Sequence, residues 1–277
     1  MAIPFTKMQG LGNDFVVLDG VRNKISLTTD LIQKMSDRHL GIGFDQLLLI
    51  SPSQDPNIDF EYRIFNADGS ETGQCGNGAR CVARFLWDTG LVLPDKTQIF
   101  LKTQTRLLEI HSRPDGQISV NMGVPELEPE KIPFQATSMR VRYAVELDGQ
   151  TWEIGAVNVG NPHAVIVVDD IDAAPVDTVG KHLSLKHAAF PDGVNVGFMQ
   201  CIDSHHIKLR VYERGAGETL ACGSGACAAV IVGHLQGLLD NNVAVALPGG
   251  TLEISWLGGG HAVWMTGPAE TVFNGEW

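Results

Sequence analysis

Positive charge is in short supply in this chain: 20 Lys and Arg stand against 32 Asp and Glu, a formal net charge of −12. Nucleic-acid binding calls for basic clusters, and none occurs, so no nucleic-acid partner is expected. No stretch approaches the ~20 apolar residues that span a bilayer. Met1 to Lys7 lacks the apolar core of a signal peptide. No membrane partner and a cytoplasmic location are therefore expected. Cysteine is scarce as well. Five in 277 residues is an odd, low number and a poor basis for a disulfide framework. With no Cys-x-x-Cys and no His-rich ligand set, no metal site is expected.

What is present is a duplication. Glu71-Thr72-Gly73-Gln74-Cys75-Gly76-Asn77-Gly78-Ala79 matches Glu218-Thr219-Leu220-Ala221-Cys222-Gly223-Ser224-Gly225-Ala226 at six of nine positions, 147 residues apart (222 − 75). Around these loops, Gly12-Asn13-Asp14-Phe15 is echoed by Gly160-Asn161-Pro162-His163, and Gln46 by Asn195. Tyr62-Arg63-Ile64-Phe65 is echoed by Leu209-Arg210-Val211-Tyr212, and Val120 to Pro125 resembles Val263 to Pro268. Such a period is far longer than the ~50 residues of a solenoid unit and has the size of a domain. The division taken is residues 1–121 with 268–277, and residues 122–267.

Short apolar segments bounded by Gly, Pro, Asp and Asn predict strands. They are Phe15–Leu18, Leu47–Ile50, Phe60–Phe65, Ile99–Lys102 and Leu107–His111, then Ala164–Val168, Val194–Met199, Ile207–Tyr212, Val243–Leu247 and Leu252–Trp256. Helices are fewer. One is predicted around Leu31–Met35, capped near Thr29-Asp30, and the clearest two start just after the paired cysteines. These run from Gly76 to about Asp88 and from Gly223 to about Leu239, the second apolar nearly all round and so buried. Glu126 to Pro133, rich in Pro and charge, is the expected linker. The fold class is α/β in the broad sense (α+β): two similar domains, each a strand-rich, barrel-like sheet around a central helix, expected to be related by a pseudo-two-fold axis.

A cysteine at the start of a buried helix sits where unpaired N–H groups and the macrodipole favour negative charge. That setting lowers a thiol pKa from ~8.5. The following glycines let a carboxylate approach the backbone N–H groups. Two such ends, one per copy, provide a base for one side of a carbon and an acid for the other, which is the logic of a racemase or epimerase. Cys81 and Cys227 fall inside the helices and read as core, and Arg63 and Arg210 read as structural ion-pair partners. A phosphate-binding loop is disfavoured, because neither copy has Gly-Lys-Ser/Thr or a complete Gly-x-Gly-x-x-Gly. Thiol–disulfide chemistry lacks its close-spaced pair, and a non-catalytic amino-acid-binding protein would have no use for two helix-end thiols.

Asn66 to Arg80 resembles the first signature of the diaminopimelate epimerase family, and Glu213 to Gly225 is similar to its second. Gly10 to Phe15 and Gly160 to His163 extend the resemblance over nearly the whole chain. It implies a cofactor-independent isomerase, interconverting LL- and meso-2,6-diaminopimelate in bacterial lysine and peptidoglycan precursor biosynthesis, with its active site in the cleft between two similar domains. It implies Cys75 and Cys222 as the catalytic acid and base, with the backbone of Gly76-Asn77 and Gly223-Ser224 on the reacting carboxylate. Asn13, Gln46, Asn66, Asn161, Asn195, Glu213 and Arg214 would hold the rest of the substrate, and His163 and Glu213 would modulate the thiols. The neighbouring proline racemase and hydroxyproline epimerase group has paired cysteines too, but its second cysteine follows a Ser/Thr-Pro context, whereas Leu220-Ala221 precede Cys222 here. The aromatic tail, Trp264, Phe273 and Trp277, is open to two readings, ordinary packing within the chain or an edge that pairs with a second copy of it.

Overall fold

The structure is a computed structural model and describes residues 2–73 and 75–277; Gln74, within the first cysteine loop, lies outside them. The first half of the chain contains β1 (Pro4–Gly10), β2 (Asn13–Asp19), α1 (Thr29–Ser36), β3 (Gln46–Pro52) and β4 (Phe60–Asn66). It continues with β5 (Glu71–Thr72), α2 (Gly76–Asp88), β6 (Gln98–Lys102), β7 (Leu107–Ser112) and β8 (Ile118–Asn121). The second half opens with β9 (Tyr143–Leu147), β10 (Gln150–Asn158), β11 (Pro162–Val167), α3 (Lys181–Lys186) and β12 (Asn195–Cys201). It goes on through β13 (His206–Glu213), β14 (Gly217–Thr219), α4 (Gly223–Leu235), β15 (Asn242–Leu247), β16 (Gly250–Ser255), β17 (Trp264–Gly267) and β18 (Glu270–Glu276). The chain divides into two compact units, Met1–Asn121 with Thr266–Trp277, and Met122–Met265.

Both units use one pairing scheme. In the first, β1 pairs antiparallel with β2, β2 parallel with β3, and β3 antiparallel with β4. β4 then pairs antiparallel with β5 and parallel with β6. In the second unit β10, β11, β12, β13, β14 and β15 repeat those relations strand for strand. The register repeats as well: Phe15 lies opposite Gln46, and His163 opposite Asn195. Each parallel β4–β6 or β13–β15 step needs a crossover, which α2 and α4 supply. The result is a sheet-dominated α+β fold present twice.

Strands buried on both faces explain why so many segments read as unbroken apolar runs. In β2 and β3, Val16, Leu18, Leu47 and Leu49 join a cluster with Ile32 and Met35 of α1. Phe15 and Leu48, on the opposite face, reach α2, where a Cβ on Gly78 would lie 3.3 Å from either side chain. α2 packs on β1, β2, β3, β8 and β18, and α4 on β10, β11, β12, β13 and β16. Gly155 of β10 permits the close approach of α4, since a Cβ there would run into the side chain of Val232.

Two expectations are corrected. α4 stops at Leu235 rather than Leu239, because Gly237 adopts φ +73° and the chain folds back, Leu238 N–H donating to the Gly233 carbonyl at 2.9 Å. Leu239 then covers Gly233. Glu126 to Pro133 is not a free linker but belongs to the second unit. Glu126 exchanges two backbone hydrogen bonds with Asn158, at 2.8 and 2.9 Å, and Pro129–Lys131 form a 3₁₀ turn. Ile132 and Phe134 anchor the segment in the second core. Cys81 and Cys227 are core residues, as read, and burial pushes the Cys81 thiol up to about 12.

Candidate active site

Cys75 is the N-cap of α2, with extended backbone (φ −154°, ψ 109°), and its Sγ accepts the Gly78 N–H at 3.3 Å. The sulfur thus takes the place of the oxygen of an ordinary Ser or Asp cap. It lies 3.8 Å from Asn13 Oδ1, at the start of β2. Asn77, buried in the first turn of α2, donates from Nδ2 to the same oxygen at 3.3 Å. Asn13, Cys75 and Asn77 are therefore one cluster.

Cys222 is likewise the N-cap of α4, and it is buried. Its Sγ is 3.6 Å from Ser224 Oγ. A Cβ on Gly225 would lie 3.2 Å from that sulfur, a tight contact that glycine spares the thiol. Burial pushes the Cys222 thiol well above its ordinary range, and Glu213 adds to this both by charge and by a hydrogen bond. Ser224 and the Gly225 backbone act the other way. Glu213 itself accepts from Thr219 Oγ1 at 2.6 Å.

The remaining expected residues form pairs within their own units. Gln46 and Asn66 face each other across β3 and β4, with Gln46 Nε2 donating to Asn66 Oδ1 at 3.0 Å. Asn66 Nδ2 donates to Ser70 Oγ at 3.0 Å. Gln46 Oε1 is buried with no partner among the described residues, an acceptor kept open. In the second unit Asn195 Oδ1 accepts the Arg214 backbone N–H at 2.9 Å, and the Arg214 guanidinium donates to the Asp192 carbonyl at 2.5 Å. His163 Nε2 lies 3.0 Å from Asn161 Oδ1. Burial lowers the imidazole to about 3, so His163 is neutral at physiological pH.

Arg63 and Arg210 are ion-pair residues, as read, each gripping a glutamate eight residues on, Glu71 and Glu218. Missed was a charged group behind Asn13. Asn13 Nδ2 donates to Asp45 Oδ2 at 2.8 Å, and Arg38 bonds both Asp45 and Asp14. Lys7, nearly buried, completes this group on Asp14 at 2.6 Å. Burial alone would raise the Asp14 carboxyl, but Arg38 and Lys7 outweigh it and hold it at about 2. The available signal was the repeat itself: the positions matching Asp14 and Asp45 are Pro162 and Val194, so a charge stands in one copy only. A cavity of about 600 Å³ between the β9–β10 hairpin and α3, lined by Leu147, Trp152, Val179 and His182 among others, contains none of the expected site residues. Among the described residues no group of three or more His, Cys, Asp or Glu could hold a metal ion, and no helix is long and apolar enough to cross a membrane.

Comparison with known proteins decides the family. The family model described as diaminopimelate epimerase matches residues 5–128 and 155–272. The chain belongs to the diaminopimelate epimerase family. A protein named diaminopimelate epimerase from Coxiella burnetii (strain Dugway 5J108-111) is 55% identical over 277 residues, covering 100% of this chain and 99% of the relative. Among solved structures, a Bacillus anthracis phenazine biosynthesis protein of the PhzF family superposes with a TM-score of 0.71 at 15% identity, over 100% of this chain and 99% of the other. A hydroxyproline epimerase from Agrobacterium vitis, with trans-4-hydroxy-L-proline bound, reaches 0.67 at 15% identity over 99% and 92%. These last two share the fold. The diaminopimelate epimerase match includes both cysteine-capped helices and leaves out residues 129–154, which carry the 3₁₀ turn and β9.

Proposed function

We propose that this chain interconverts LL-2,6-diaminopimelate and meso-2,6-diaminopimelate without a cofactor, as an isomerase of bacterial lysine and peptidoglycan precursor synthesis in the cytoplasm. The observation that carries the reading is that each copy caps its central helix with a cysteine, Cys75 on α2 and Cys222 on α4. One sulfur, as thiolate, takes the α-proton and becomes a thiol; the electron pair passes into the adjoining carboxylate. The other thiol then gives its proton to the opposite face of the carbon and is left as thiolate. Charge that grows on the carboxylate is met by the N–H groups of Gly76-Asn77 and Gly223-Ser224, oriented beforehand by the helices.

Asn13, Gln46, Asn66, Asn161, Asn195, Glu213 and Arg214 are assigned to the substrate's remaining polar groups. Such a substrate carries ammonium and carboxylate at both ends, and amides with one guanidinium supply the matching donors and acceptors. Glu213 tunes Cys222, and His163 acts beside Asn161. A homodimer is proposed on β18 and the terminal residue after it, where Val272 and Phe273 of the strand and Trp277 beyond it are 56%, 47% and 38% exposed; sedimentation as a monomer at working concentration would exclude it.

The deciding experiment is a proton NMR time course in D₂O under reductant, with LL-diaminopimelate and L-proline together. Loss of the diaminopimelate α-proton with appearance of the meso isomer is expected. Exchange on proline instead would assign the neighbouring racemase activity, and exchange on neither would overturn the enzymatic reading.

A further inference from the structure

The matching asparagines of the two copies are held by partners of opposite hydrogen-bonding character. Asn13 Nδ2 donates to Asp45 Oδ2 at 2.8 Å, while its Oδ1 accepts from Asn77 and lies 3.8 Å from Cys75 Sγ. A carboxylate can only accept, so the amide has one permitted orientation, NH₂ toward Asp45 and oxygen toward the thiol. Asp45 is itself pinned. Its Oδ2 also accepts the Asp14 N–H at 3.1 Å, and its Oδ1 accepts from Arg38 at 2.7 Å. Arg38 in turn takes both oxygens of Asp14, at 3.0 and 2.8 Å.

Asn161 has no carboxylate behind it, because Val194 stands where Asp45 would be. Its neighbour is His163, a neutral imidazole with a single N–H. Placing that hydrogen on Nε2 satisfies Asn161 Oδ1 at 3.0 Å and leaves Nδ1 as a bare lone pair. The other tautomer would strand a buried N–H, since Nδ1 has no partner among the described residues. The Asn161 oxygen is thus occupied, and its NH₂ has no partner among the described residues.

We propose that Asp45 is a positioning residue that fixes the Asn13 amide as an acceptor beside Cys75, and that His163 fixes Asn161 in the opposite sense, as a donor. This rests on the epimerase reading and adds to it a sorting of charge. An ammonium group, which only donates, is taken by Asn13; a carboxylate, which only accepts, is taken by Asn161.

The test is a charge swap. Asp45→Asn lets the Asn13 amide turn, and the rate of α-proton exchange from LL-diaminopimelate is expected to fall by about 10²-fold, the scale of a small misplacement at a reacting centre. Asn13→Asp combined with Asp45→Asn restores an oxygen facing Cys75, held now by the amide introduced at position 45. The double variant is expected to be at least about tenfold faster than Asp45→Asn alone, a rescue of ~1.4 kcal/mol. A double variant as slow as the single, or slower, overturns the proposal, because a merely structural Asp45 predicts that the two losses add. Should the variants not fold, ¹⁵N-labelled wild-type protein gives the same answer. One Asn13 Nδ2 proton is expected far downfield and protected from exchange, and two protons at free-amide positions would overturn the proposal. Absence of α-proton exchange by the wild type would sink the epimerase reading alone, since the Asn13 amide spectrum does not depend on turnover.

Discussion

Arg210 Nε and Nη2 lie 2.6 and 2.9 Å from the two carboxylate oxygens of Glu218, a bidentate clamp from β13 to β14 just ahead of Cys222. Arg63 and Glu71 form the same clamp in the first unit, at 2.9 and 2.7 Å. These pairs face solvent in part, so they contribute only ~0.2–1 kcal/mol each. Arg210→Gln is expected to lower unfolding free energy in urea by less than about 1 kcal/mol, with KM for diaminopimelate unchanged. A large rise in KM would make Arg210 a substrate ligand.

A heavier cost is expected where α4 meets the sheet. Gly155 has no room for a Cβ, because Val232 Cγ2 would lie 2.8 Å from it and Cγ1 closer still. Val232 is buried and β-branched, and cannot swing away without leaving its rotamer. Gly155→Ala is expected to destabilise the protein by about 1–3 kcal/mol through overpacking. Gly149→Ala, at a turn with open space around it, tests backbone strain separately, since its φ is +78°. Urea midpoints for the two variants distinguish crowding from strain.

What was legible in the sequence follows from which physical constraint acts locally. Leu47 to Ile50 reads as a strand because both of its faces are buried, and the α2 boundaries read correctly because cap and helix are contiguous. β18, by contrast, has six exposed residues in seven and is a strand through its pairing with β1, near the opposite end of the chain. The segment from Glu126 reads as a linker by composition, yet Ile132 and Phe134 tie it to a core that only the tertiary fold supplies. The two cysteine-capped helix starts were legible because duplication repeats them. Asp45 was not, since Val194 breaks the repeat at that position and nothing local marks a carboxylate as the partner of an amide 32 residues earlier.

His163 predicts how stability depends on pH. Burial lowers its folded-state pKa to about 3, against 6.5 in the unfolded chain, so the unfolded state binds the extra proton between those values. Stability is fully present above pH 6.5 and is lost as pH falls toward 3. Between pH 6.5 and 5 the loss is about 2 kcal/mol, at about 1.36 kcal/mol for each step of one in pH. Asp14, held at about 2, adds its own loss only below the ordinary carboxylate pKa of 3.8. Urea unfolding at pH 7 and pH 5 should show this difference in the wild type and lose most of it in His163→Gln. An unchanged difference would remove His163 as its source.

Glu213 predicts how the second thiol reacts. The Cys222 thiol is pushed up first by burial and then by the Glu213 carboxylate, which opposes a second negative charge and accepts a hydrogen bond from the protonated sulfur. Glu213→Gln removes the charge, while Thr219 Oγ1, 2.6 Å from Glu213 Oε1, can still bond the amide oxygen. The pKa of Cys222 is therefore expected to fall, with alkylation by iodoacetamide, followed by peptide mass spectrometry, reaching its half-maximal rate at lower pH. At a fixed pH below that midpoint the rate should rise several-fold, reaching about tenfold if the midpoint moves down by a full pH step of one. Access alone cannot produce this result. Burial of Cys222 limits the plateau rate in both proteins alike, whereas a carboxylate acting on the proton moves the midpoint. A midpoint left in place, whatever the plateau, would remove Glu213 as a contributor to the raised pKa of Cys222 and leave burial as its cause.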